Sequence, residues 1–120
     1  MSRWLQYCID KAKELPYQRR EARVYAVILD KRGRLVSESS NSYSKTHTKQ
    51  AEFAEKVGLP DKIFGHAELI ASIKDKNKRG VKVVVARVDS LGNPCNSAPC
   101  KICSRAIKEH GGIKSVEFSI

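Results

Sequence analysis

His66-Ala67-Glu68-Leu69-Ile70 and Pro99-Cys100-Lys101-Ile102-Cys103 are the stretches that decide how this 120-residue chain folds and reacts. One histidine and two cysteines supply three ligands of the kind that hold zinc and leave its fourth position open to water. Glu68 is not needed as a ligand and is free to move protons. Cys100 and Cys103 are three residues apart, neighbours on one helical face. His66 precedes one helical pattern and the cysteines open another, so two helix N-termini can meet at one point. Their partial positive charge favours thiolate, the form that binds metal. A zinc ion on His66, Cys100 and Cys103 would bring the pKa of a water toward neutrality, and Glu68 would take the proton.

Outward from these stretches, residues 67–78 read as a helix with Ala67, Leu69, Ile70, Ala71 and Ile73 inward. Its C-terminal half is basic, which suits the negative helix end, and Gly80 is expected to cap it. Residues 100–110 read as a second helix, ended by Gly111-Gly112, with Ile102, Ala106 and Ile107 inward. Between them lie a β-branched strand over 81–88 and a turn-rich loop over 89–98; an alternating strand over 113–120 follows. Upstream, an amphipathic helix over 3–15 stops at Pro16, because proline pushes the residue before it out of helical geometry. Residues 22–30 form a nearly continuous apolar run, as expected for a strand covered on both faces. A turn at 31–34 returns the chain into a strand over 35–40. Residues 42–65 are a long connection containing a helix over 48–57 closed by Gly58. The strand–helix–strand order of the second half needs a crossover, which predicts a sheet layered with helices. No repeat or linker interrupts it, so residues 1–120 are expected to form a single domain.

Lysine and arginine number 23 against 13 acids, a net charge of +10. That charge serves either a well-repelled surface or a polyanion whose phosphates shed counterions when bound. No apolar run reaches membrane-spanning length and the N-terminus lacks a signal pattern, so a cytoplasmic protein without membrane association is expected. A disulfide framework needs a secretory context, which is missing here. Cys8 lies on the apolar stripe of the first helix and reads as core. Cys95 leaves a second reading of the metal site, a closed structural centre of three cysteines and one histidine. His47 and His110 read as a loop residue and a helix-end residue.

On residues 66–70 and 98–107 the chain resembles the cytidine/deoxycytidylate deaminase superfamily. Residues 112–118 look like that family's strand after the zinc helix. Residues 33–41 are similar to the strand-and-asparagine segment of tRNA adenosine deaminases and of cytosine deaminases acting on polynucleotides. Residues 44–65 are similar to small deaminase-like proteins of phages. The resemblance implies a zinc cofactor, Glu68 as proton shuttle, a backbone contact from Ala67 to the base and a sugar contact from Asn41. It also implies a three-layer α/β/α fold, here a short version ending after the fourth strand. The connections over 41–66 and 89–98 are longer than in the tRNA deaminases. The early end leaves an open sheet edge, which points to self-association as a homo-oligomer.

Three functions follow. The first is conversion of cytosine to uracil in single-stranded DNA or RNA. Lys45 and Lys49 follow Asn41, Lys101 and Arg105 lie on the zinc helix, and six arginines and lysines from Arg19 to Arg34 surround the first hairpin. Tyr43 is placed to stack on a base. The second is deamination of a free pyrimidine nucleotide, deoxycytidylate or a cytidine nucleotide, with a few of the same lysines on one phosphate. The third is a zinc-stabilised nucleic-acid-binding protein without catalysis, against which an intact Glu68 argues. Cytosine is preferred over adenine on the resemblance alone.

Overall fold

The computed structural model of the protein describes residues 2–16, 23–41, 48–58 and 66–120. The elements are α1 (Arg3–Glu14), β1 (Arg23–Leu29), β2 (Leu35–Ser40), α2 (Thr48–Lys56), α3 (Ala67–Lys74), β3 (Lys82–Val88), β4 (Pro94–Cys95), α4 (Lys101–His110) and β5 (Ser115–Phe118). The strands form one sheet in which β1 pairs antiparallel with both β2 and β3. The remaining edge of β3 takes β5 in parallel along residues 82–85 and β4 antiparallel at Arg87 and Val88. The parallel pair is joined through α4, the crossover that the order of elements requires.

Period-two alternation divides the central strands between two helical layers. Val27 and Leu29 of β1, with Val84, Ala86 and Val88 of β3, pack on Leu5, Cys8, Ile9 and Ala12 of α1. Ala26, Ile28, Val83 and Val85 point the other way, onto Ala67 and Ala71 of α3, with Ile107 of α4 at the margin. Both faces are covered, as the continuous apolar runs anticipate. Each fully buried valine or isoleucine contributes about 1.5–3 kcal/mol. A third cluster, Ala54, Leu69, Ile102, Cys103 and Ala106, fastens α2 to the outside of α3 and α4. The result is the α/β/α layering expected from the sequence.

Helix α1 starts where Ser2 Oγ accepts the Leu5 N–H at 3.0 Å. Cys8 is wholly buried in it, and burial pushes its thiol up to about 12. It is a core residue, as expected. On the same side of the sheet Tyr7 and Tyr25 both donate to Glu38 Oε1, Tyr7 at 2.7 Å. Burial works to raise the Glu38 carboxyl, but the two phenols and Lys11 and Lys74 outweigh it and hold the group below its usual range.

Two local expectations are corrected. Helix α3 stops at Lys74, not at residue 78. Asp75 turns the chain out of the helix: its carboxylate accepts the backbone N–H of Arg79 at 3.0 Å and of Gly80 at 2.8 Å. Lys78 takes a left-handed φ of 55° to make that turn. Gly80 therefore does not cap the helix. Its missing Cβ has another use, since one there would fall 2.1 Å from Ile28 Cγ2. The second correction is that the 89–98 loop contains β4, whose two residues are too few to show a period. Two buried serines stitch that edge together. Ser97 Oγ lies 2.8 Å from Ser119 Oγ and 3.0 Å from the Val85 carbonyl, and Ser119 Oγ donates to the Cys95 carbonyl at 2.6 Å. This seam fixes the path of the chain into Cys100.

Candidate metal centre and active site

His66 is the N-cap of α3 and Cys100 the N-cap of α4, and neither side chain bonds back to its own helix. They meet each other instead. His66 Nδ1 lies 3.4 Å from Cys100 Sγ and 3.4 Å from Cys103 Sγ. All three ligand atoms lie within 4.8 Å of one another. Zinc bonded tetrahedrally to sulfur and nitrogen at ordinary lengths would place such N and S atoms about 3.5 Å apart. The donor set therefore fits a zinc ion with three protein ligands. Cys95 takes no part: it is outside this group, and its thiol lies 3.6 Å from the Arg87 carbonyl. The closed three-cysteine centre is therefore not formed.

The two sulfurs share their proton unequally. The Cys103 thiol beside it pulls Cys100 down to about 4 against the effect of burial, and His66 assists. Cys103 moves upward, driven by its bond to Cys100, then by burial and by Glu68. The pair thus parts with one proton more easily than with the second, and a bound divalent cation favours loss of both. Cys100 caps α4 and Cys103 lies in its first turn, where unpaired N–H groups stabilise negative charge.

Glu68 is in the first turn of α3 and is buried, with 6% of its surface exposed. Burial holds its carboxyl above the usual carboxylate range, while its own backbone N–H, His66 and Cys103 pull the other way. A carboxylate whose pKa is raised takes up a proton more readily than one in water. Ala67, between ligand and acid, has its side chain wholly buried against the sheet. Only its backbone is left to meet a ligand.

Asn41 extends the β1–β2 ladder by one residue. Its backbone N–H donates to the Val24 carbonyl at 3.2 Å, and its Oδ1 accepts the Val24 N–H at 3.1 Å. This side chain is held at the end of the sheet that also carries β4 and the chain leading to Cys100. Lys101 is exposed beside Cys100. Arg105 is directed elsewhere, 2.9 Å from Glu109, which Lys56 also reaches at 3.2 Å. Lys49 pairs with Glu52 at 3.3 Å. Tyr43 and Lys45, with Arg19, Arg20 and His47, lie outside the described residues.

Gln50 is a participant that the sequence reading missed. It is wholly buried in α2, and its Oε1 accepts the backbone N–H of His66 at 3.2 Å. The bond satisfies the amide of the candidate ligand histidine and ties α2 to the candidate metal centre. Gln50 falls in register with Phe53, Ala54 and Val57, a polar residue on the apolar stripe, and that was the available signal.

Comparison with known proteins agrees with this geometry. The pattern of the cytidine and deoxycytidylate deaminase zinc-binding region matches residues 1–120. No curated protein matches the sequence. The crystal structure of a glutamate-to-glutamine mutant of cytidine deaminase from Mycobacterium tuberculosis is similar, with 22% identity and a TM-score of 0.54. The likeness covers 98% of this chain and 86% of that one, and it shows a shared fold. By the match over its whole length and the zinc-ready set at two helix starts, the chain belongs to the cytidine and deoxycytidylate deaminase zinc-binding family.

Proposed function

We propose that this deaminase converts cytosine to uracil, that residues 1–120 act as one catalytic domain, and that its substrate is single-stranded DNA or RNA. The observation that carries the chemistry is the burial of Glu68 in the helical turn that begins at His66. His66, Cys100 and Cys103 hold zinc, which supplies a Lewis acid that lowers the pKa of water at the site. Glu68 accepts the proton of the attacking water. It then returns protons to the ring nitrogen and to the exocyclic amine, which leaves as ammonia as water oxygen takes its place on the ring carbon. The Ala67 backbone and Asn41 are assigned to the base and the sugar, Tyr43 to stacking, and Lys45 and Lys101 to phosphate.

The net charge of +10 supports the polynucleotide reading. A second reading, a free pyrimidine nucleotide, is favoured by the engagement of Arg105 and Lys49 with acids, which leaves fewer cations for a long backbone near the metal. Among the described residues no strand lies outside β5, which supports self-association there. No described helix is long and apolar enough to cross a membrane.

The test compares uracil formation from a cytosine-containing single strand with that from free deoxycytidylate, using the zinc-loaded protein. Turnover of the strand is expected. Turnover of the free nucleotide alone would replace the first reading by the second. Turnover of neither, with zinc bound, would leave a non-catalytic nucleic-acid-binding protein.

A further inference from the structure

The fold sorts charge by pole. Leu29, at the end of β1, faces Lys82 at the start of β3, and Lys82 faces Ser115 of β5. The turn at 31–34, the segment after α3 and the start of β5 therefore share one end of the sheet. The C-terminal ends of α3 and α4 lie there too, joined by Asp75 and His110. The metal ligands are at the other ends of the same helices. Ten residues of α4 separate the two ends by about 15 Å.

Exposed cations gather at this far pole. Lys31, Arg32 and Arg34 stand on the turn, and Lys76, Lys78 and Arg79 on the segment after α3. Lys108 in the last turn of α4 and Lys114 before β5 complete the rim. The acids here do not neutralise it. Asp30 and Asp75 are buried and spend their oxygens largely on backbone: Asp30 accepts the N–H of Arg32 and Arg34, Asp75 those of Arg79 and Gly80. They shape the turns and leave most of the flanking cations outward; Arg34 alone also pairs with Asp30. Glu117 pairs with Lys82. Glu109, also in the last turn of α4, is taken up by Arg105 and Lys56. Elsewhere among the described residues cations and acids come closer to cancelling, as in Lys49–Glu52.

We infer that this pole is a second, non-catalytic binding site, and that its ligand is the phosphodiester backbone of a polynucleotide. Rigid turns carrying separate cations suit phosphates spaced along a strand. A membrane surface is less well served, because membrane-surface binding adds inserted apolar side chains, and among the described residues Leu35 is the one large apolar residue exposed at this end. The binding does not depend on the deaminase reading. Its consequence for turnover does: a strand held here must span the molecule to present a base to Glu68, so longer strands gain affinity over single nucleotides.

The test uses the zinc-loaded full chain and fluorescein-labelled 30-nucleotide single strands of DNA and of RNA, with binding read by anisotropy at several salt concentrations. One variant carries Lys31→Gln, Arg32→Gln, Lys76→Gln and Arg79→Gln. A control variant loses the same charge elsewhere through Lys11→Gln, Lys13→Gln, Lys56→Gln and Arg87→Gln. The pole variant is expected to bind either strand at least about 10-fold more weakly, with a log–log salt slope shallower by about 3. Its turnover of free deoxycytidylate should equal that of the parent. Equal weakening in both variants would reduce the effect to net charge and overturn the site. So would unchanged binding in the pole variant, or capture by phosphatidylserine vesicles with no strand bound. If deoxycytidylate turnover is absent in every form while the pole variant alone loses the strand, the deaminase reading falls and this site stands.

Discussion

His110 Nε2 donates to Asp75 Oδ2 across 2.7 Å, and each side chain is 1% exposed. Gly112 N–H donates to the other ring nitrogen at 3.1 Å, which fixes the tautomer with its proton on Nε2. Asp75 is the C-cap of α3 and His110 the last residue of α4, so this bond closes the two zinc helices at the ends away from their ligands. His110→Ala leaves a buried carboxylate oxygen and the Gly112 N–H short of a partner, a loss of about 1–3 kcal/mol. The urea midpoint should fall with an unchanged slope. An unaltered midpoint would show that backbone bonds alone hold the junction.

The same carboxylate predicts how stability responds to acid. Burial works to raise Asp75, but the N–H of Gly80, His110 and the N–H of Arg79 outweigh it and lower its pKa. A folded pKa below the unfolded value means a contribution that is complete above about pH 4 and lost as pH falls through the folded value. Asp75→Asn should therefore sit below the parent in melting temperature by a constant margin at neutral pH, and the margin should narrow below about pH 4. Glu38 and Asp30 are lowered too, so the variant keeps part of the acid sensitivity. A margin that widened in acid would contradict the sign.

Gly80 offers a packing test next to that pair. A Cβ there would lie 2.1 Å from Ile28 Cγ2 and 2.9 Å from Asp75 Oδ2. Ile28, next to the end of β1, is fully buried and has little room to yield. Gly80→Ala should cost about 1–3 kcal/mol by overpacking, read as a lower urea midpoint. A neutral result would mean that the 75–80 segment shifts without penalty.

What could be read from sequence was local, and what could not was made by contact. The histidine-x-glutamate and cysteine pairs announce themselves because their spacing carries the chemistry. The strands over 23–29 and 82–88 stand out as nearly continuous apolar runs rich in β-branched residues and bounded by turn signals. His110 is a different case. It falls on the same helical face as Ile102, Cys103 and Ala106, yet its partner Asp75 is 35 residues away, and only the fold joins them. Asp75 also ends α3 early by bonding forward to Arg79 and Gly80, a local side-chain-to-backbone choice, pinned from α4 by His110, that overrides a good helical pattern. The basic pole is likewise invisible along the chain, where its cations are scattered from residue 31 to residue 114.

Gln50 gives a test of how the ligand histidine is held. Gln50→Leu keeps the volume in α2 and removes the acceptor of the His66 N–H. Supporting bonds of this kind are worth about 10-fold or more in metal affinity. Competition with a chromophoric chelator should show zinc held at least about 10-fold more weakly. Unchanged affinity would mean that the α3 backbone places His66 unaided.

Glu68→Gln separates the proposed proton carrier from the candidate metal centre. Glutamine keeps the shape of Glu68 but cannot take a proton from water or return one. The zinc ligands are untouched, so metal analysis should still find about one zinc per chain. Turnover should fall by at least about 100-fold, the scale of a lost general acid–base group. Burial already disfavours the charged form of Glu68, so a neutral amide is no worse housed there. The unfolding midpoint should stay level or rise even as activity is lost, the pattern of a side chain kept for chemistry at some expense to stability. Retained turnover would remove Glu68 from the reaction; turnover and zinc lost together would make it a support of the metal site.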